Sequence, residues 1–399
     1  MNKDLVLYKN QKSLSLWDWI ILIALSFCAF VSLASDSLNA IALYAVIPAL
    51  FMFSLLKEGR LFSNRYEKIL VFLYVWVLIS SLWASYSEPA NNELKSVLGA
   101  FLLTFVISVQ AKNERMIPGL YVLFIFLYLG AWYYASQNLL IVMDFASEER
   151  VNDAKLNANT LAYYTFFVTF ALFILAELFK PGFWTKCLKI AFIAFIPFSF
   201  FVALTTASRQ VLIIQIPLFA LLLWIRYAKN VGRSKKIAFF IIAVVAIAFL
   251  IPRVESVLQD SYLLERSQES VQDDSRVFLM KDAMRVGMEH FPLGVGTGNY
   301  QKYSPRGYFS HNTFTELFAN TGVVGFLLFT YLMVTFVIKQ WARYRKTKDR
   351  MYGYFLIFGV FYIIDQFFFV FYTHLWLMSF FMLVASHSET YYYKSLKTV

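Results

Sequence analysis

Long apolar runs, broken by short polar intervals, set the pattern of this chain. Read by length and hydropathy, they predict about twelve membrane-spanning helices, at roughly 17–35, 38–56, 69–85, 94–111, 117–142, 158–179, 187–204, 210–227, 237–252, 311–338, 352–372 and 374–388. Some of these are short, and the tenth is long enough to tilt or break. The short alternating segments of a membrane β-barrel are absent. The expected fold is therefore all-α: a polytopic membrane helical bundle forming a single integral membrane domain over residues 1–399. One large extracytoplasmic loop, residues 253–310, interrupts it and carries a helix of its own. No internal repeat or low-complexity segment is visible.

Composition sharpens this reading. The chain is 59% hydrophobic and only 15% charged, where soluble proteins carry about a quarter charged residues. Lys3, Lys9 and Lys12 precede the first apolar run in the manner of a signal peptide, but the run has the length of a full span and reads as an uncleaved first helix. The net charge of +11 is not read as nucleic-acid affinity, because Lys and Arg gather in the cytoplasmic loops of membrane proteins. The stretches Arg226 to Lys236 and Lys339 to Arg350 are short and densely basic, whereas the connections near Asp36, Ser87 and Thr373 carry no Lys or Arg. Both termini are expected inside and the loop 253–310 outside. Cys28 and Cys187 sit in apolar runs, so no disulfide or thiol chemistry is expected.

The outer loop is the informative one. Its middle, Ser275 to His290, predicts a helix: Ser275 can cap it, and Val277, Met280, Met284 and Met288 recur at helical spacing before Pro292 ends it. Gly294, Gly296 and Gly298 then alternate, which suits a tight turn approached closely by a backbone or a ligand. They are no dinucleotide fingerprint, lacking the strand before and the helix register after. Helix and turn could lie on the membrane surface as a lid. Two further outer intervals are Asp144 to Asn159, which is strongly polar, and Thr205 to Arg209, which leaves one arginine at the outer end of the eighth span.

The candidate chemistry lies on this side. His311 is one of 4 histidines and stands where the polar loop meets the tenth span. Imidazole can take and return a proton near neutrality. It could serve as a base or simply anchor a helix end at the interface. Asn312 could hold a hydroxyl or fix the ring, and Glu316, about one and a half turns on, could tune the site. Gly322 and Gly325 suit close helix packing or a break in the long span, with packing expected. Arg209 and Arg276 could each grip a phosphate with paired hydrogen bonds; the bland readings are interfacial snorkelling for Arg209 and a solvated helix face for Arg276. Arg150 and Arg306 are weaker candidates of the same kind, and Arg285 weaker still. No metal or cofactor is expected. Asp273 and Asp274 read as an acidic lead-in to a helix, and Asp144, Glu148, Glu149 and Asp153 as a solvated loop. Asp365, inside an apolar run, could carry protons or ions in a transporter. A buried hydrogen bond to Gln366 or a tyrosine is the favoured reading.

These residues resemble a known family. His311-Asn312 followed at fixed distance by Gly322-Val323-Val324-Gly325 is similar to the signature of the O-antigen ligase and O-antigen polymerase superfamily. Thr206-Ala207-Ser208-Arg209 resembles its upstream arginine motif, although Ile213 stands where Leu is usual. Ser275-Arg276 with the Met-rich helix and Pro292-Leu293-Gly294-Val295-Gly296 resembles its large outer loop. Asn157-Ala158-Asn159-Thr160-Leu161-Ala162 and Ser81-Leu82-Trp83-Ala84 are similar too.

The resemblance implies a fold of the GT-C type in the bacterial inner membrane. It implies metal-independent, inverting transfer on the periplasmic side, from a glycan on undecaprenyl diphosphate to an acceptor sugar. His311 would activate the acceptor hydroxyl, and Arg209 and Arg276 would hold the diphosphate. A polymerase would use another lipid-linked repeat unit as acceptor; a ligase would use lipid A core. Phe318 to Gly322 and Asn157 to Ala162 resemble polymerases of O-antigen, capsule or exopolysaccharide more closely. A chain-length regulator is a further candidate partner, and no nucleic acid is expected. The competing class is a polysaccharide transporter or flippase, with Asp365 on the path.

Overall fold

The structure, a computed structural model, describes residues 13–58, 63–138, 158–206, 208–227, 232 and 275–397. The elements are α1 (Leu16–Ala34), α2 (Asp36–Ile41) running through a π-helical turn (Ala42–Val46) into α3 (Ile47–Glu58), α4 (Arg65–Ser80), α5 (Ser87–Gln110), α6 (Ile117–Gln137), α7 (Ala158–Leu178), α8 (Phe183–Thr206) and α9 (Arg209–Tyr227). After them come α10 (Ser275–Glu289), the single turn α11 (Tyr300–Tyr303), α12 (Thr313–Thr347), α13 (Arg350–Asp365) and α14 (Leu375–Lys397). No strand occurs among the described residues.

Seven helical stretches among them are long and apolar enough to cross a membrane: Asp36–Leu56, Arg65–Trp83, Ser87–Gln110, Ile117–Gln137, Thr160–Leu178, Phe183–Thr206 and Thr313–Thr347. Leu16–Ser32 and Ile213–Tyr227 are shorter apolar helices. Large apolar side chains face outward, with Leu56 80% and Phe72 65% exposed, the reverse of a water-facing surface. The chain is a polytopic helical membrane protein. The expected ninth span, 237–252, lies outside the described residues. The expected eleventh span, 352–372, is shorter than its apolar run: α13 stops at Asp365, and 366–374 form turns.

Helix starts follow from local chemistry. Ser15 with Asp18, and Asn64 with Glu67, form reciprocal capping boxes, and Asp349 caps α13. The described residues pack as two compact units, Met1–Gly130 with Ser270–Val399, and Ala131–Glu269. In the second unit α7 packs against α8 and α9. Thr169 there donates its hydroxyl to Gln215 Oε1 at 2.9 Å.

In the first unit α14 lies along α5, and α12 lies between α4 and α13. Small hydroxyl side chains bring α5 and α14 together, Thr104 to Ser379 at 3.2 Å and Ser108 to Ser386 at 2.6 Å. One end of this bundle gathers paired charges: Arg343 on Glu389 at 2.9 Å, Lys339 on Glu389 at 3.2 Å and Lys112 on Glu67 at 3.0 Å. The other end is where α4 finishes, α5 and α12 begin, and the 366–374 turns lie. His311 is at this second end.

Candidate active site

Asn312 starts α12. Its Oδ1 accepts from the backbone N–H of Phe314 at 2.9 Å and of Thr315 at 3.0 Å, filling two donors that a helix start leaves open. The amide expected to hold a hydroxyl or fix the His311 ring is thus committed through its oxygen to the cap. An Asn immediately before a helix was itself a capping signal.

His311 precedes this cap with φ at 55°, in the left-handed region. A side chain other than glycine adopts it at a cost of about 1–3 kcal/mol, met by surrounding contacts. Those contacts are present. Ser310 N–H donates to Glu316 Oε2 at 2.6 Å, and Ser310 Oγ donates to the Asn312 carbonyl at 2.9 Å. Thr315 Oγ1 donates back to Ser310 Oγ at 3.1 Å. The next residue, Thr313, ties the turn to the 366–374 segment: its N–H donates to Gln366 O at 3.0 Å, its hydroxyl donates to Phe369 O at 2.9 Å and accepts from Phe371 N–H at 2.9 Å. The half-buried His311 ring packs on Phe309, centroids 4.2 Å apart, and Phe309 meets Phe369 edge-on at 5.7 Å. Glu316, expected only to tune the site, fastens the residue just before the histidine.

The long helix breaks at Gly322, with φ 69° and ψ −163°. Packing was expected of this glycine; the reason for a break instead is steric. A Cβ at Gly322 would sit 2.0 Å from Pro292 O. Into the break comes the glycine turn, joined by Val295 N–H to Ala319 O at 2.9 Å, Gly296 N–H to Asn320 O at 2.8 Å and Val323 N–H to Pro292 O at 3.0 Å. Gly294, Gly296 and Gly298 all have positive φ, and their missing Cβ atoms would meet the backbones of Ala319, Ala84 and Pro89 at 2.6 Å each. The close approach foreseen at these glycines is by backbone. Gly325, by contrast, packs beneath Thr321 and Trp76 as expected.

Helix α10 packs on the head of α12. Met280 Sδ lies 3.9 Å from Asn312 Nδ2. Arg276 lies one helical turn before Met280 on α10 and is half-buried. Tyr300 anchors the other side, its hydroxyl donating to Leu279 O at 2.9 Å and to Asp282 Oδ2 at 3.2 Å. Burial is the main cause pushing the Tyr300 phenol above its usual range, so it stays a donor. Arg306 sits over the Phe278 ring at 4.4 Å, and Arg285 pairs with Asp282 and Glu289. The Arg209 backbone opens α9 in the second unit; its side chain lies outside the described residues, as do Arg150 and the Asp273-Asp274 pair. Asp365 is the buried last residue of α13 rather than a mid-helix carboxylate, and Gln366 donates its Nε2 to Met333 Sδ at 3.3 Å.

Sequence reasoning missed a buried polar chain behind the histidine. Asn320 Nδ2 donates to Glu316 Oε1 at 3.3 Å and to Tyr372 OH at 3.4 Å, and the Tyr372 hydroxyl donates to Glu93 Oε1. Thr297 Oγ1 donates to the same Glu93 oxygen at 3.0 Å. An Asn and a Glu in an apolar span are costly unless satisfied, and that was the available signal at Asn320. Glu93 escaped notice because the expected span began one residue after it.

Residues 191–330 match the family model described as O-antigen ligase. The match supports a relationship of this segment to the O-antigen ligase and polymerase superfamily. No curated protein matches the sequence. The segment matched by the superfamily runs from within α8 to within α12 and contains Arg209, Arg276, Arg306, His311, Asn312 and Glu316. It supports an O-antigen ligase or polymerase type of membrane function. The described part of the site thus offers a half-buried imidazole, a group able to exchange a proton near neutrality, on a turn whose cap is touched by Met280 of α10.

Proposed function

We propose that the protein is a membrane glycosyltransferase of the periplasmic side of the bacterial inner membrane. It moves a glycan from undecaprenyl diphosphate to the hydroxyl of an acceptor sugar, as a polymerase of O-antigen, capsular or exopolysaccharide repeat units. In this reading the acceptor hydroxyl oxygen attacks the anomeric carbon of the donor glycan. The new glycosidic bond forms as the bond from that carbon to the diphosphate oxygen breaks, with inversion. The hydroxyl proton passes to the His311 ring, and the lipid diphosphate leaves with the electron pair. Arg276 and Arg209 balance the charge that grows on it. Fixed guanidinium groups suit that task because they remain charged and can grip phosphate oxygens in pairs.

The observation that carries this reading is the seating of His311. A histidine is held in left-handed backbone by a cap, a carboxylate and a threonine, inside the family-matched segment, with Met280, one turn from Arg276 on α10, touching that cap. Such expenditure on one turn is what a positioned base requires. The test is a banding gel of surface polysaccharide from cells lacking the protein, complemented with wild type or with His311→Ala. Polymerase action predicts that His311→Ala leaves core carrying a single repeat unit. Core with no repeat unit, and glycan stranded on its lipid, would move the assignment to ligase. Full-length banding with His311→Ala would overturn the transferase reading.

A further inference from the structure

At the His311 end of the first unit, the start of α5 lines an open cavity of about 390 Å³. Asn92, Glu93 and Ser96 come from one face of α5, Gln301 and Lys302 from α11 and its turn, and Thr373 from the segment between α13 and α14. Three stretches that the charge pattern assigns to the outer side therefore meet in one wall. The volume falls in the range of small-ligand pockets, about 300–1,000 Å³, and suits a mono- or disaccharide.

The lining discriminates between ligands. It offers two amides, two hydroxyls, two carboxylates (Glu88 and Glu93) and one ammonium (Lys302). The single ammonium here shares this wall with Glu88, and Glu93 already takes its donors from the protein, so the wall gathers no excess positive charge for a diphosphate. A neutral sugar fits, because each of its hydroxyls both donates and accepts, and this wall supplies both roles at short intervals.

The cavity is also rigid and wired to the histidine turn. Asn299 clamps the loop before α5 by accepting from Tyr86 N–H at 2.7 Å and donating to Tyr86 O at 3.0 Å. Glu93 is fixed by Thr297, Tyr372 and the backbone of Gly298. From Glu93 the chain Tyr372, Asn320, Glu316, Ser310 leads without a gap to the residue before His311.

We propose that this cavity binds a neutral sugar residue of the acceptor glycan, with Asn92, Glu93 and Ser96 meeting its hydroxyls, and that Glu93 ties its occupancy to the position of the His311 turn. The identity of the ligand rests on the glycosyl-transfer reading; the existence of a saccharide site does not.

Asn92 and Ser96 are exposed, so filling the cavity from them leaves the core alone. The experiment is saturation-transfer NMR on detergent-purified full-length protein. The probe is repeat-unit oligosaccharide released by mild acid from the producing cell's own surface polysaccharide. Wild type and His311→Ala should both transfer magnetisation to sugar protons, and Ser96→Trp should weaken binding by about 10-fold or more. In cells, Ser96→Trp should shorten the glycan bands at unchanged protein level. Binding by Ser96→Trp equal to wild type, or no binding by wild type, would overturn the proposal even if His311→Ala abolishes polymerisation. Binding that Ser96→Trp destroys, together with full glycan synthesis by His311→Ala, would leave the sugar site standing and remove the transferase reading.

Discussion

Glu316 accepts a hydrogen bond from the backbone N–H of Ser310 at 2.6 Å, across the turn that carries His311 between them. The carboxylate is buried, 3% exposed, and its other oxygen takes Asn320 Nδ2. It therefore works as a strut. Removing it in Glu316→Ala leaves a buried N–H without its acceptor, a cost of about 1–3 kcal/mol. It also frees the histidine to drift, and misplacement by about 1 Å can cost about 100-fold in rate. Glu316→Gln keeps an acceptor and should retain more activity than Glu316→Ala. Glycan banding together with thermal unfolding of purified protein checks both; equal activity for Ala and wild type would remove the strut.

The left-handed backbone at residue 311 allows chemistry and conformation to be separated. Glycine adopts φ 55° freely, so His311→Gly should be as stable as wild type, or more stable by about 1 kcal/mol. Loss of a general base should cost about 10²–10⁴-fold in turnover. His311→Asn, which also tolerates this region, should behave alike. A thermal shift assay beside a glycan assay reads the two effects apart. Concurrent loss of stability and activity in both variants would mean that the ring is a structural anchor.

Much of this was legible in the chain. Apolar run length showed where helices cross, and the fixed distance from His311 to Gly322 and Gly325 pointed to a stretch that lies inside the family-matched residues 191–330. Other features depended on contacts that no local pattern encodes. Gly322 reads equally as packing or break until Pro292 O is seen at the space a Cβ would need. The eleventh span was overextended because 366–374 is as apolar as a helix, yet Thr313 claims the backbone of Gln366, Phe369 and Phe371. Glu93 and Tyr372, far apart in sequence, become one buried chain only in the fold.

The break in α12 gives a sharp steric test. At Gly322 an added methyl group meets backbone at 2.0 Å and sits at φ 69°. At Gly325 the nearest atoms belong to the Thr321 side chain rather than to backbone, and φ is not in the left-handed region. Gly322→Ala should therefore destabilise by about 3 kcal/mol or more, as strain and displaced backbone combine, and Gly325→Ala by less. Fluorescence-detected size exclusion after a heat step ranks them; a reversed order would contradict the role given to Pro292.

Arg276 should act on the donor rather than on the fold. It is half-buried at the start of α10, and lysine there would keep the charge but lose the paired geometry. In a reconstituted assay Arg276→Lys should raise the KM for the lipid diphosphate by about 10-fold, and Arg276→Ala should lower kcat as well, since leaving-group charge goes uncompensated. Unchanged kinetics in Arg276→Ala would take this residue out of the site.

The far end of the bundle supplies the contrast between stability and function. Glu389 receives Arg343 at 2.9 and 3.0 Å and Lys339 at 3.2 Å, and Arg343 is 8% exposed with the Tyr392 ring 4.0 Å from its guanidinium carbon. Glu389→Ala would strand a buried guanidinium, at a cost of about 3–5 kcal/mol. Replacing both partners by apolar residues, Arg343→Met with Glu389→Leu, removes the stranded charge and should recover most of that loss. Because this cluster stands at the opposite end from His311, glycan output in each variant should follow only the amount of folded protein. Quantifying membrane protein and glycan together tests this: activity per folded molecule should equal wild type in both variants, while the thermal midpoint falls in the single variant and returns in the double.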